Sequence, residues 1–247
     1  MYKTVEFSIF KYILAQRSCM ILFPFDMSQY KSMVFFDVET TGFDYQHGQI
    51  TQFAARRVLA NGTSTDINLY VKMKESVEYS KEVQEMTSLS ETFLDENGIH
   101  EGLVAQQTFD FLFFAQPVVL IAHNAQFDML FILELLKRYR YTMPVEYSVI
   151  DTMTIARDRK PFPHKLIDMM HHYNHNTEAS LHRADVDLGI LIDVFSSMLD
   201  EKNDIKCYLD VIGIPPKKQV TGYCLPTVKY KKQKWFHDGK THRPVYV

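Results

Sequence analysis

Apolar positions along the chain fall into runs that predict an alternation of strands and helices. Residues 33–38 are apolar, β-branched or aromatic except for Asp37, which predicts a buried strand. Residues 49–59 predict a second strand, and the Asn-Gly pair at 61–62 predicts a hairpin turn into a third strand over 66–73. We therefore expect the first three strands to form an antiparallel meander.

The middle of the chain predicts a buried strand followed by a long helix. Residues 117–122 form an unbroken apolar run, which is typical of a parallel strand covered on both faces. An amphipathic helix is predicted over 125–140. The pattern thus indicates an α/β fold whose mixed sheet, antiparallel in strands one to three and then parallel, is flanked by helices. Further elements are predicted at 80–86 (a helix capped by Ser80), 106–114, 148–151 (a strand), 152–157, 166–173 and 184–199.

Both ends of the chain depart from this pattern. The first 31 residues are aromatic and irregular, and methionines at 27 and 33 offer later starts, so we expect an N-terminal extension at 1–31. A docking helix over 5–14 is the alternative.

Beyond residue 200 the chain has a Pro-Pro pair, lysine-rich patches and little periodicity. We therefore expect one domain at 32–200 and a basic C-terminal tail at 201–247.

Composition and charge fit a globular protein with an unusual distribution of charge. The 247 residues are 46% hydrophobic and 23% charged, which suits one domain with a substantial core. The net charge is −3, yet residues 201–247 hold 10 Lys and Arg against 4 Asp and Glu. An acidic body with a basic end suits a metal-dependent site beside a polyanion-binding arm. A merely solvated tail explains the same charges.

The cysteines and the apolar runs argue against secreted and membrane-spanning classes. The three cysteines lie far apart without a Cys-x-x-Cys spacing, so we expect neither a zinc site nor a disulfide framework. No apolar run reaches the length of a membrane span. Glu6 and Lys11 interrupt the apolar stretch that a secretory signal needs. These features together favour a cytoplasmic protein.

An acid pair stands at the end of the first predicted strand. Asp37 and Glu39 are two residues apart, which places both carboxylates on one face of a strand with Cα atoms about 6.6 Å apart. Two like charges beside apolar residues resist desolvation, and a divalent cation such as Mg²⁺ relieves that cost. The turn-forming residues Thr40-Thr41-Gly42 open the strand end to solvent. Two solvated acids at a strand edge remain the alternative.

Two later segments add candidate residues. Asp128 follows the buried strand at the start of the long helix, where open α/β sheets bind ligands. A capping or helix-dipole role explains it too, and Asn124 is an equally good cap. His182 and Asp187 are five apart, which is about 140° on a helix, so they share a site only if His182 precedes the helix. Histidine has the pKa of a base near neutrality.

The three segments in order resemble a known family. Asp-x-Glu, then His-Asn-Ala-x-Phe-Asp, then His-x-Ala-x-x-Asp are similar to the motifs of the DEDDh branch of 3′→5′ exonucleases. These are ribonuclease-H-like proofreading enzymes, exemplified by the epsilon subunit of bacterial DNA polymerase III and by ribonuclease T. The resemblance covers residues 33–199 and includes the flanking segments 82–87 and 151–157.

The resemblance implies a ribonuclease-H-like fold and a metal-dependent site that releases 5′-mononucleotides from the 3′ end of DNA. His182 would be the general base, and the single active site would bind two Mg²⁺ or Mn²⁺ ions. Asp151 matches a structural position, and Asp185 matches no ligand, so we expect Asp185 to be an exposed helix residue. The four metal ligands implied are Asp37, Glu39, Asp128 and Asp187.

The expected partner is nucleic acid, most specifically the 3′ end of single-stranded DNA. Phe43 and Phe127 are placed to stack on terminal bases, although a core position explains Phe127 equally well. Lysines of the tail would hold the backbone, or the tail would dock a DNA polymerase subunit. An RNA-trimming exoribonuclease and a non-catalytic nucleic-acid-binding relative are the alternatives. The substrate contacts expected are Thr40, Phe43, His123, Asn124 and Phe127.

Overall fold

The computed structural model describes residues 29–144, 146–175, 183–220, 222–234 and 243–246. Most of the predicted N-terminal extension, including its alternative docking helix, lies outside these residues. The candidate base His182 also lies outside them.

A seven-stranded sheet in the order β3-β2-β1-β4-β5-β6-β7 forms the centre of the fold. The strands β1 to β3 are antiparallel neighbours, and β4, β5, β6 and β7 continue from β1 in parallel. This confirms the predicted mixed sheet. The strands are β1 Ser32–Thr40, β2 Ile50–Leu59, β3 Ser64–Tyr70, β4 Val118–Ala122, β5 Tyr147–Asp151, β6 Val211–Ile214 and β7 Lys229–Lys232.

Helices cover both faces of this sheet. Ser80 caps the first helix as predicted, since its Oγ accepts a hydrogen bond from Val83 N at 3.3 Å. None of the helices within the described ranges is long and apolar enough to cross a membrane. The helices are α1 Lys81–Thr87, α2 Glu91–Asn97, α3 Glu101–Phe113, α4 Ala125–Arg138, α5 Thr152–Arg159, α6 Leu166–His172 and α7 Ala184–Glu201.

The strand β1 separates two hydrophobic cores. Successive side chains of a strand point to opposite faces. Phe36 accordingly packs in the core that contains α3 and α4, whereas Phe35 packs in the core that contains α6 and α7. The ring of Phe35 meets that of Phe195 edge to face, with centroids 5.3 Å apart, and so joins α7 to β1. Asp37 and Glu39 continue the Phe35 row and therefore point toward α7.

The C-terminal region extends the sheet, a feature that the expectation of a basic tail missed. A 3-10 turn at Ile205–Tyr208 leads into β6, and β7 pairs with β6 in parallel. Buried Gln233 donates to Thr154 O at 2.7 Å and to Asp158 Oδ1 at 2.8 Å, which fixes the segment after β7 on α5. These strands escaped the sequence pattern because each has four residues and β7 has three lysines.

Candidate active site

The end of β1 and the start of α7 bring three acids together. Carboxylate oxygens of Asp37, Glu39 and Asp187 all lie within 4.8 Å of one another. A shift in the pairing of β1 with β2 between Glu39 and Thr40 marks the point where the strand turns away. Three carboxylate oxygens at this spacing suit a divalent cation, because Mg²⁺ and Mn²⁺ prefer oxygen ligands.

Asp128 borders this group from the opposite helix. It lies in the first turn of α4 and is 3% exposed, and its Oδ1 accepts a hydrogen bond from Val38 N at 3.2 Å. Val38 stands between Asp37 and Glu39, so the fourth acid is anchored to the backbone of the strand that carries the first two. The structure thus brings all four predicted metal ligands to one end of β1.

Burial and mutual repulsion strongly perturb these acids. Burial, reinforced by the charges of Asp187 and Asp128, raises the pKa of Glu39 to about 8. Burial likewise raises the pKa of Asp128 to about 8. The pKa of Asp37 lies well above its ordinary value, first through burial and then through Asp128, Asp187 and Glu39. The electrostatics therefore favour either protonation or a bound cation, which would neutralise the cluster.

Asp185 is not the exposed residue that the sequence suggested. Its side chain is 6% exposed, its Oδ1 accepts from Gln52 Nε2 at 3.0 Å, and Arg183 pairs with it at 3.2 Å. The same Gln52 accepts from Ala184 N at 3.1 Å through its Oε1. A glutamine of β2 therefore fixes the first turn of α7, which explains why Asp185 is covered.

Gln52 is a residue that sequence reasoning missed. It is fully buried and stands opposite Glu39 in the β1–β2 pairing. Its hydrogen bonds to α7 orient the helix turn that carries Asp187. The available signal was a long polar side chain in the first part of β2, between Thr51 and the apolar Phe53, directly across from a candidate ligand.

Asp151 holds the start of α4, which agrees with the structural position that the resemblance implies. The residue is 2% exposed, and its Oδ1 accepts from Asn124 N at 2.9 Å and Ala125 N at 3.2 Å. Its Oδ2 accepts from Thr154 Oγ1 at 2.6 Å. Asn124 occupies the cap position with φ 67° but makes no side-chain capping bond. The carboxylate of Asp151 therefore satisfies the amides at the helix start.

The predicted substrate contacts differ in how free they are to bind. Phe43 is 90% exposed, and its ring meets that of Phe127 with centroids 6.2 Å apart. Asn124 is also exposed. His123 is half-buried and held by a hydrogen bond, since its Nε2 donates to His164 O at 2.8 Å, and burial lowers its pKa. Thr40 Oγ1 donates to Gly42 O at 2.7 Å, which stabilises the turn before Phe43.

Comparisons with known sequences agree with this geometry. A family model described as Exonuclease matches residues 34–195. DNA polymerase III PolC-type of Caldanaerobacter subterraneus is 26% identical over 219 residues, which cover 81% of this chain and 14% of that protein. DNA polymerase III subunit epsilon of Rickettsia prowazekii is 27% identical over 172 residues, covering 67% of this chain and 72% of that protein. The chain thus spans only a small part of the PolC-type relatives.

A solved structure shows the same fold. The complex of Escherichia coli exonuclease I with single-stranded DNA, in a zinc-bound form, matches with a TM-score of 0.63 and 17% identity. The match covers 73% of this chain and 43% of that one. The matching residues 34–195 include β1, α4 and the start of α7, which carry the four clustered acids. The chain therefore belongs to the exonuclease family and has the ribonuclease-H-like fold of the DEDDh type.

Proposed function

We propose that this protein is a metal-dependent 3′→5′ exonuclease that removes 5′-mononucleotides from single-stranded or mispaired 3′ ends of DNA. The observation that carries the proposal is the convergence of carboxylate oxygens from Asp37, Glu39 and Asp187 within 4.8 Å. These residues come from sequence positions 150 apart, and the fold brings them together at a strand end that opens toward Phe43. Membership in the exonuclease family supports the same chemistry.

The acids of the cluster would hold two divalent cations. Asp37, Glu39 and Asp187 would share one ion, and Asp128, which borders them, would contribute to the second. A pair of cations held by these acids would supply a lower pKa for an attacking water and positive charge to offset that growing on the leaving 3′ oxygen. The protein contributes by holding Asp128 through Val38 N and the helix turn that carries Asp187 through Gln52, so that little reorganisation is needed.

His182 would take the proton from the attacking water. The sequence places it immediately before Arg183, the cap position of α7, and five residues before Asp187. The ordinary pKa of a histidine side chain suits a general base near neutral pH. Phe43 and Phe127 would stack on the terminal bases, since such stacking contributes about 1–3 kcal/mol per base and tolerates any sequence.

Similarity to other proteins favours DNA as the substrate. The exonuclease I structure compared above contains single-stranded DNA, and the two sequence relatives are DNA polymerase III proteins. A polymerase subunit is therefore the partner that we infer. A cytoplasmic location is also proposed, because the free thiols of Cys207 and Cys224 fit a reducing compartment. RNA trimming is the second candidate, because no residue of the acid cluster distinguishes the sugar.

Digestion of end-labelled oligonucleotides tests the proposal. With Mg²⁺ we expect stepwise release of 5′-mononucleotides from the 3′ end of single-stranded DNA and of a mismatched duplex, with RNA degraded more slowly. EDTA abolishes the release, and Asp187→Asn lowers it about a thousandfold while the protein stays folded, because a metal ligand is lost. Products released from the 5′ end, or an Asp187→Asn variant as active as wild type, would overturn the proposal.

A further inference from the structure

The segment that forms β6 and β7 carries a concentrated positive charge. Between Val211 and Lys234 the sequence has six lysines and no aspartate or glutamate. Four of them stand at or beyond the carboxyl ends of the two strands, and we name these four residues the lysine edge: Lys217, Lys218, Lys232 and Lys234.

The lysine edge lies on the same edge of the sheet as the candidate active site. The strands β6 and β7 are parallel to β1, and the carboxyl ends of parallel strands meet at one edge. The acids stand at the carboxyl end of β1. Four strand spacings separate β1 from β7, which is about 19 Å at about 4.8 Å each. The distance suits a nucleic-acid strand several nucleotides long.

Contacts between β7 and α4 place the lysine edge on the side of the sheet that carries Phe127. Tyr230 Oη donates to Gln126 Oε1 at 2.5 Å, and Gln126 Nε2 donates to Tyr223 O at 3.1 Å. Gln126 directly precedes Phe127. Lys232 lies two residues beyond Tyr230, so its side chain emerges on the same face and about 6.6 Å nearer the carboxyl edge.

A hydrogen bond joins the two parts of the lysine edge. Lys232 Nζ donates to the carbonyl oxygen of Lys218. A turn follows β6, in which Lys218 N donates to Pro215 O at 3.0 Å. The side chains of Lys217 and Lys218 are exposed on this turn. The cations are thus presented from an ordered part of the fold.

Protection of an exposed sheet edge does not explain this arrangement. Lysines on an edge strand discourage pairing with another chain, and Lys229 and Lys231 fit that purpose. Lys217 and Lys218 lie in a turn rather than on the edge strand, where they protect no unpaired backbone. Their position on the active-site edge requires another explanation.

We propose that the lysine edge binds the phosphate backbone of single-stranded nucleic acid several nucleotides before the 3′ end that enters the active site. The proposal rests on the function proposed above and extends it, because it makes tight binding depend on the length of the single strand. A strand long enough to span about 19 Å engages both the acids and the lysines, whereas a very short one reaches only the acids.

Binding of oligonucleotides across a salt series tests this proposal without requiring turnover. The full chain with Asp187→Asn is titrated with fluorescein-labelled single strands of about three and about twenty nucleotides in the presence of Mg²⁺. Two pairs of changes remove the lysine edge in halves: Lys217→Gln with Lys218→Gln, and Lys232→Gln with Lys234→Gln. The matched control is Lys206→Gln with Lys229→Gln, which removes two exposed lysines near the amino ends of β6 and β7.

We expect each lysine-edge pair to weaken binding of the long strand about tenfold and to lower the slope of log Kd against log salt by about 1.4, since each phosphate contact on a single strand contributes about 0.7. The lysine-edge pairs change binding of the short strand far less. The control pair changes binding of the long strand far less. Thermal unfolding checks that each variant is folded.

Equal binding of the long strand by the Asp187→Asn chain and by the same chain with either lysine-edge pair changed would overturn the proposal. An equal loss in the control pair would do so too, because general charge rather than position would then explain the binding. Failure of the proposed function is a separate outcome, recognised when the chain with Asp187 intact binds the oligonucleotide but releases no nucleotides from it.

Discussion

Burial of the like-charged acids of the candidate site costs folding free energy, which the rest of the protein must offset. Asp37 and Glu39 continue a row of apolar side chains toward α7, and Asp128 is almost wholly buried. Like charges in this setting raise one another's pKa, and burial adds to the effect. A site that is unfavourable when empty and favourable when a cation is bound is what a metal-dependent enzyme requires.

Stability should therefore fall as the pH rises in the absence of metal. Glu39 has a pKa of about 8 in the folded protein, well above the 4.5 of an unperturbed glutamate. The folded state holds this proton more tightly than the unfolded state, so the contribution to stability is present at low pH and is lost as the pH rises toward 8. Thermal unfolding in EDTA is expected to show a lower Tm at pH 8.5 than at pH 6. Addition of Mg²⁺ is expected to raise the Tm by more at pH 8.5 than at pH 6.

The variant Glu39→Gln supplies the control for this pH effect. Without the ionising group, the drop in Tm between pH 6 and pH 8.5 should shrink, whereas Glu96→Gln, an exposed change in α2, leaves the drop as in wild type. A wild-type Tm in EDTA that does not fall over this pH range would contradict the account of the buried acids.

At the scale of elements, α4 begins where it does because β5 supplies its cap. The carboxylate of Asp151 accepts hydrogen bonds from Asn124 N and Ala125 N, and this fixes the turn that carries Asp128. The periodicity of residues 125–140 predicted this helix, but a cap from a residue 26 positions later has no signature in a local pattern. The sequence therefore located Asp128 but did not show that Asp151 holds the helix turn that carries it.

Replacement of Asp151 by alanine should destabilise the protein by about 3 kcal/mol, because buried backbone amides at the start of α4 lose their acceptor. Urea unfolding of Asp151→Ala measures this change, and Glu96→Ala provides a control at an exposed acid. A loss below about 0.5 kcal/mol, within the range of ordinary surface changes, would show that Asp151 does not hold the helix start.

Elements with strong periodicity were predicted, and short polar ones were missed. The apolar run of β4 and the amphipathic pattern of α4 are long enough to identify their types. The helix α2 has seven mostly polar residues, and β7 reads Lys-Tyr-Lys-Lys, so neither carries a hydrophobic pattern. Their positions follow from long-range contacts: α2 packs in a small apolar cluster, and β7 pairs with β6.

At the scale of the whole molecule, the fold places the acids of the candidate site and the lysine edge on the same edge of the sheet. The sequence indicated both charges but assigned the basic residues to a tail, since nothing local shows that β6 pairs with β5 and β7 with β6. Likewise Asp185 was expected to be exposed, because its partner Gln52 lies 133 residues away in β2. Long-range pairing is what single-sequence patterns leave out.

Cation binding tests the central claim most directly, that acids from β1 and α7 converge on a metal site. Isothermal titration with Mn²⁺ compares wild type with Asp187→Asn and with Asp185→Asn, two matched changes in the first turn of α7. Asp185→Asn retains an oxygen for Gln52 Nε2 and should bind Mn²⁺ nearly as tightly as wild type, whereas Asp187→Asn should bind at least about tenfold more weakly. Equal binding by wild type and Asp187→Asn would contradict the account.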